Sequence, residues 1–82
     1  MSRLAQQEIW RKRLSAAEAA YQACTEELRL ALVRRHAEAS PEAEEQVRRA
    51  EAHKAEARRE YLRILRIFTD LVLRGKSPGA NE

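Results

Sequence analysis

Cys24 and His53 are the side chains in this sequence whose types best suit a metal ligand pair or a nucleophile with its base. His36 and His53 cannot bind the same metal ion within one chain, because antiparallel pairing of two helices would place His36 near residue 43 and His53 near residue 26. Cys24 falls on an apolar stripe, where cysteine usually packs as a small hydrophobic residue, and no Glu-x-x-His pattern of a di-iron bundle occurs. We therefore predict no catalytic, cofactor-binding or metal site, and a protein that is not an enzyme.

Basic side chains form a second candidate group, because Arg59, Arg63 and Arg66 follow the i, i+4, i+7 spacing of one helix face. Such a face could bind the phosphates of a nucleic-acid backbone without reading its bases. The net charge is only +3, and no aromatic residue for base stacking is interleaved among these arginines. Acid-first pairs at i, i+4 spacing account for other basic residues: Glu8–Lys12, Glu44–Arg48, Glu45–Arg49 and Asp70–Arg74. Nucleic-acid binding is therefore an alternative prediction.

The elements that position these side chains are predicted to be helices, because the 82 residues include two Gly, two Pro and 35% charged residues. The N-terminus lacks the apolar run of a signal peptide, and no segment reaches the roughly 18 apolar residues of a membrane span. A single cysteine, Cys24, fits a reducing compartment. We expect an all-α cytoplasmic protein, with the Arg- and Ala-rich composition of a small bacterial or phage protein, and no membrane or small-molecule partner.

Two long helices with a short turn are predicted from the hydrophobic periodicity and the turn residues. Apolar residues recur at alternating spacings of four and three over helix one, 2–38, and again over helix two, 41–74. Ser40 and Pro41 are typical of a helix start, and Gly75 followed by Pro78 is typical of a helix end. With the turn at 39–41, residues 1–75 form one coiled-coil-like antiparallel helical hairpin, and 76–82 are predicted to be a disordered tail.

Antiparallel pairing predicts that residues whose numbers add to about 79 face each other, which places Trp10 near Phe68 and Leu14 near Ile64. At this free end, where helix one begins and helix two ends, the apolar stripe of helix two is wider than a two-helix seam needs. We therefore predict an interface with a partner or a second copy. Its residues are Trp10, Leu14, Tyr61, Ile64, Leu65, Ile67, Phe68, Leu71 and Val72.

The predicted function is a non-catalytic protein–protein interaction module, such as a small adaptor, an inhibitor or a chaperone-like subunit. A homodimer forming a four-helix bundle is the simplest assembly that covers the apolar stripe. In architecture alone the hairpin resembles plasmid RNA-binding helical hairpin dimers, small partner subunits of type III secretion chaperones and phage-encoded inhibitors. These resemblances imply no functional residue in this chain, because no motif of theirs maps onto its sequence.

Overall fold

The computed structural model describes residues 2–75, which form two α-helices and contain no strand. Helix α1 spans Arg3–Ala37 and helix α2 spans Pro41–Arg74. These bounds lie within one residue of the ends expected from the periodicity. The predicted tail, 76–82, lies outside the described residues.

The helix ends are set by the residue types that the sequence places there. The Ser40 hydroxyl accepts a hydrogen bond from the Ala43 N–H at 3.1 Å, and Pro41 occupies the first helical position, where no N–H is needed. Gly75 ends α2 with a φ of 67°, in the left-handed region that favours glycine. A Cβ atom built there would lie 2.5 Å from Nη2 of Arg3, so the start of α1 meets the end of α2.

Replacing Ser40 with alanine is expected to lower the free energy of unfolding by about 1 kcal/mol, because the Ala43 N–H loses its acceptor at the hairpin turn. Ser2 caps α1 in the same way, accepting from the Ala5 N–H at 3.1 Å, but at the exposed first turn of α1, far from the hairpin turn. Urea unfolding followed by circular dichroism should show a smaller loss for Ser2→Ala, since a terminal turn frays before the hairpin unfolds. Equal losses for the two variants would contradict a special role for the turn.

The two helices pack antiparallel along their whole length, giving a rod of 54 × 19 × 17 Å. Cross-hairpin contacts join Arg35 to Glu44 at 3.7 Å near the turn and Tyr21 to Tyr61, with ring centroids 6.1 Å apart, farther along. The numbers of these pairs add to 79 and 82, close to the predicted register. One chain therefore forms the antiparallel two-helix hairpin.

The core of the rod is thin and consists mainly of small side chains. Its buried residues are Ala17, Ala31, Ala43, Val47, Ala50, Ile64 and Leu71. Toward the turn, half-buried Leu28 packs against the cluster of Ala31, Val47 and Ala50. Alanine lets the helix axes approach closely but removes little apolar area from water, so the packing of one hairpin contributes modest stability.

Candidate interaction surface at the free end of the hairpin

The nine residues of the predicted interface divide into three groups in the folded chain. Ile64 and Leu71 are buried by the hairpin itself, with 6% and 1% of their surface exposed. Val72 is 41% exposed. The others are half-buried: Trp10, Leu14, Tyr61, Leu65, Ile67 and Phe68. In one chain, Ile64 and Leu71 therefore hold the two helices together, and the other residues retain accessible apolar surface.

One flank of α2 carries the largest accessible apolar area at the free end. Leu62 is 43% exposed, Val72 is 41% exposed and Leu73 is 76% exposed, with half-buried Leu65 between them. At about 100° per residue, these four side chains lie on the same side of the helix. We call them the free-end flank. Leu62 and Leu73 are not among the nine residues of the predicted interface, and their apolar type at outward positions is the sequence signal that could have identified them.

Trp10 occupies the other helix at the same end of the rod. Its indole is half-buried, and the guanidinium carbon of Arg13 lies 4.6 Å from the ring centroid. This cation–π contact covers one face of the ring with a charged group that keeps its hydration. Leu4, the second residue of α1, is 77% exposed. Apolar side chains from both helices are thus accessible at the free end.

The predicted basic face is present, but one of its arginines is engaged by a neighbour. Arg59 and Arg66 are exposed, whereas Nη2 and Nε of Arg63 donate to the two Glu60 oxygens at 2.7 and 3.1 Å. A planar guanidinium fork that already holds a carboxylate must exchange it before it can bind a phosphate. The structure therefore brings the three residues to one face and leaves Arg59 and Arg66 as its more available cations.

Ion pairs on the surface follow a spacing of three residues more often than the predicted spacing of four. Glu8 pairs with Arg11 rather than Lys12, and Glu44 pairs with Arg35 of the other helix rather than with Arg48. Arginine reaches the carboxylate one turn before it with two parallel N–H groups, a geometry that lysine lacks. The predicted pairs Glu45–Arg49 and Asp70–Arg74 are confirmed at 3.6 and 3.5 Å.

Three surface glutamates have lowered pKa values. Arginine Nη2 atoms lie 2.6, 2.8 and 2.7 Å from their carboxylates in the pairs Glu26–Arg29, Glu45–Arg48 and Glu60–Arg63. The hydrogen bond from the arginine, helped by its charge, holds the pKa of each carboxyl below the ordinary 4.5. The pKa of the Arg29 guanidinium is raised by its hydrogen bond to the same carboxylate.

Acidification should therefore weaken the hairpin. A carboxyl with a lowered folded-state pKa contributes stability above its unfolded value of 4.5, and this contribution is lost as the pH falls through the lowered pKa. We expect the temperature at the midpoint of thermal unfolding to decrease as the pH is lowered from neutral to pH 3. The shift should be smaller in a variant without the three paired carboxylates: Glu26→Gln, Glu45→Gln and Glu60→Gln.

The matched control for this pH dependence replaces three exposed glutamates that make no ion pair within residues 2–75: Glu18→Gln, Glu51→Gln and Glu56→Gln. Its unfolding midpoint should depend on pH as in the unaltered protein. Added salt should reduce the difference between the two variants, since exposed ion pairs are screened. If the variant lacking the three paired glutamates and the control variant have identical pH profiles, the paired carboxylates are not the source of the pH dependence.

Cys24 and His53, the candidate pair, make no hydrogen bond with each other within residues 2–75. Nδ1 of His53 lies 3.0 Å from Oε1 of Glu27 across the hairpin, which makes this carboxylate the partner of the imidazole. Cys24 is a half-buried free thiol. Between Ser2 and Gly75, no group of three or more His, Cys, Asp or Glu side chains is arranged to hold a metal ion.

Neither α1 nor α2 contains an apolar stretch that is long enough to cross a membrane. Comparison of the chain with protein-family models, with characterised proteins and with solved structures found no match.

Proposed function

We propose that this protein is a non-catalytic protein–protein interaction module, of the adaptor, inhibitor or chaperone-like kind, that docks another helix on its free-end flank. The observation that carries the proposal is the contrast between a hairpin core that is mostly alanine and the leucine and valine side chains that stay accessible at the free end. Full burial of each such side chain contributes about 1.5–3 kcal/mol. Contiguous apolar surface of this kind is typical of an interaction site.

A second copy of the chain is the simplest occupant of this flank. Two hairpins that pair their free-end flanks form a four-helix bundle, in which Leu65 and Phe68 pass from half-buried to buried positions. The thin core of one hairpin supports this assembly, because small helical folds generally need oligomerisation or another constraint for stability. A helix from a different protein with a complementary apolar stripe would use the same contact.

Nucleic-acid binding through Arg59, Arg63 and Arg66 is less well supported. The carboxylate of Glu60 accepts hydrogen bonds from Arg63 and so places a negative charge on the same part of α2. A backbone-binding face would instead present cations whose counterions are released on binding. This alternative would be favoured if the affinity for an oligonucleotide falls steeply with added salt. Replacing Arg59 or Arg66 should then lower the affinity by the same factor for oligonucleotides of different sequence.

The test is the mass of the full chain in solution, measured by size-exclusion chromatography with light scattering over a tenfold concentration range. We expect Leu65→Asp to lower the weight-average mass about twofold relative to the unaltered protein, because a carboxylate on the flank must lose its hydration on docking. Leu62→Asp should act in the same way from a position that is already 43% exposed, where the hairpin tolerates a charge.

Ala52→Asp is the matched control, because Ala52 is exposed on α2, is turned about 80° from Leu62 at about 100° per residue, and receives the same charge in the same helix. Its mass should equal that of the unaltered protein. Circular dichroism should show the same helical content in all three variants. Unchanged mass in both flank variants would contradict self-association through the free end.

A further inference from the structure

Helix α1 carries a second heptad stripe on the side opposite α2. The stripe repeats at spacings of three and four and consists of Ala16, Ala19, Ala23, Glu26, Leu30, Val33 and Ala37. All of these residues are exposed in the hairpin, including Leu30 at 52% and Val33 at 55%. Because successive a and d positions of a heptad share one helix face, this stripe forms a continuous outer seam that is apolar except for Glu26.

The outer side of α2 shows that this seam is not a by-product of the alanine-rich composition. Positions with the same spacing on α2 are charged, as at Glu56, Arg59 and Arg63. A helix that is apolar on two opposite sides is expected between two packing partners, whereas one with a charged outer side is expected at the surface. In the hairpin α1 has only one such partner, α2.

We infer that the outer seam of α1 is a contact surface for the α1 helix of a second copy, packed antiparallel. The amino-terminal half of the seam contains small residues, and its carboxyl-terminal half contains the large ones. When the helices run in opposite directions, Ala23 of one copy faces Leu30 of the other, and Ala19 faces Val33. Large side chains then meet small ones at these two levels, while Ala16 faces Ala37 and Glu26 faces itself. No two large apolar side chains oppose each other, whereas a parallel pairing would place Leu30 against Leu30.

Charge complementarity supports the same antiparallel register. Glu26 lies at the two-fold axis, where its charge is already balanced by Arg29, whose Nε and Nη2 donate to it at 2.9 and 2.6 Å. In this register Lys12 of one copy lies beside the turn of the other, which carries Glu38 and Glu42. Within the described part of the chain, Lys12, Glu38 and Glu42 make no ion pair.

This contact goes beyond the proposed function, because it uses a different helix face and leaves the free-end flanks accessible. Antiparallel pairing places the two Trp10 residues at opposite ends, roughly 48 Å apart along the axis at about 1.5 Å per residue. The resulting dimer presents two separated docking sites. A partner with two matching sites would gain avidity from this bivalence.

The experiment uses full-length Leu65→Asp protein, in which the free-end contact is removed. We expect it to remain a dimer of about twice the 9.5 kDa chain mass by light scattering. Adding Ala23→Glu or Leu30→Glu should halve this mass, because a charge is then placed in the middle of the outer seam. Both positions are exposed in the hairpin, so helicity by circular dichroism should be retained.

Ala52→Glu in the same background is the matched control, since it introduces the same charge on the exposed side of α2, and it should leave the dimer intact. A monomeric Leu65→Asp protein, or a dimer that Leu30→Glu does not dissociate, would overturn the inference. A monomeric Leu65→Asp protein would still be compatible with self-association through the free end alone, whereas the second result would not. Unchanged mass in Leu65→Asp together with dissociation by Leu30→Glu would instead reject free-end self-association and support the seam.

Disulfide cross-linking tests the orientation in a Cys24→Ser background. Glu26→Cys should cross-link two copies under mild oxidation, because the residue faces itself at the two-fold axis. In the Ala19→Cys variant, the new cysteine should not cross-link to the same position of the second copy. It faces Val33 of the other chain, and the two positions 19 lie on opposite sides of the two-fold axis. Efficient cross-linking through Ala19→Cys would show a parallel pairing and overturn the antiparallel arrangement.

Discussion

Replacing Leu71 with alanine is expected to lower the free energy of unfolding by about 2–5 kcal/mol. Leu71 is 1% exposed and is the largest fully buried side chain of the described chain. Its truncation removes buried apolar surface from water-free packing and leaves a cavity between the two helices at the free end. For a chain of this length the total stability is about 4–12 kcal/mol, so this substitution removes a large fraction of it.

The matched control for this prediction is Leu73→Ala, the same substitution two residues farther along α2. Leu73 is 76% exposed, and its truncation should change stability by no more than about 0.5 kcal/mol. Urea unfolding followed by circular dichroism, at one low protein concentration to limit association, measures both changes. Similar losses for Leu71→Ala and Leu73→Ala would show that Leu71 does not hold the hairpin together.

Replacing Ala50 with aspartate should have an effect of similar or greater size, at least about 3 kcal/mol at neutral pH. Ala50 is 0% exposed and belongs to an apolar cluster with Ala31, Val47 and Leu28. A carboxylate in this position loses its hydration without gaining a cationic partner. We expect the helices to separate toward the turn, with helical content partly lost.

The loss caused by Ala50→Asp should depend on pH in a defined direction. Burial penalises the charged form of the new carboxyl and so raises its folded-state pKa above the unfolded value. The destabilisation is therefore fully present above the raised pKa and becomes smaller as the pH falls below it. Ala52→Asp, an exposed position on the same helix, controls for the poor helix propensity of aspartate. A pH-independent loss shared by both variants would contradict burial as the cause.

The helix bounds and the turn were accessible from the sequence because they depend on local interactions. A serine cap followed by proline, and a glycine at the end of α2, satisfy the backbone groups of the nearest turn whatever the rest of the chain does. The antiparallel arrangement followed from the short turn alone. Local signals of this kind are also why the predicted ends differ from the observed ones by only one residue.

The identity of the buried residues at the free end depended on the rotation of α2 about its own axis. Leu62, Ile64, Leu71 and Leu73 are all aliphatic, and the alternating spacing selected Ile64 and Leu71 as seam residues. The sequence analysis also included Ile64 and Leu71 in the partner interface. Whether a partner can contact them depends on how much of each side chain α1 covers. Only the packed hairpin shows that α1 covers these two almost completely and leaves Leu62 and Leu73 accessible.

The sequence by itself determined an all-helical hairpin, its register and the absence of strands in the described residues, because periodicity and end signals act over a few residues. The tertiary structure decided which charges pair and which apolar side chains stay accessible. It showed Arg63 bound to Glu60, His53 beside Glu27, and α1 exposed along a second seam. These features depend on distances between residues that are far apart in sequence or on side-chain reach, and a linear pattern does not contain that information.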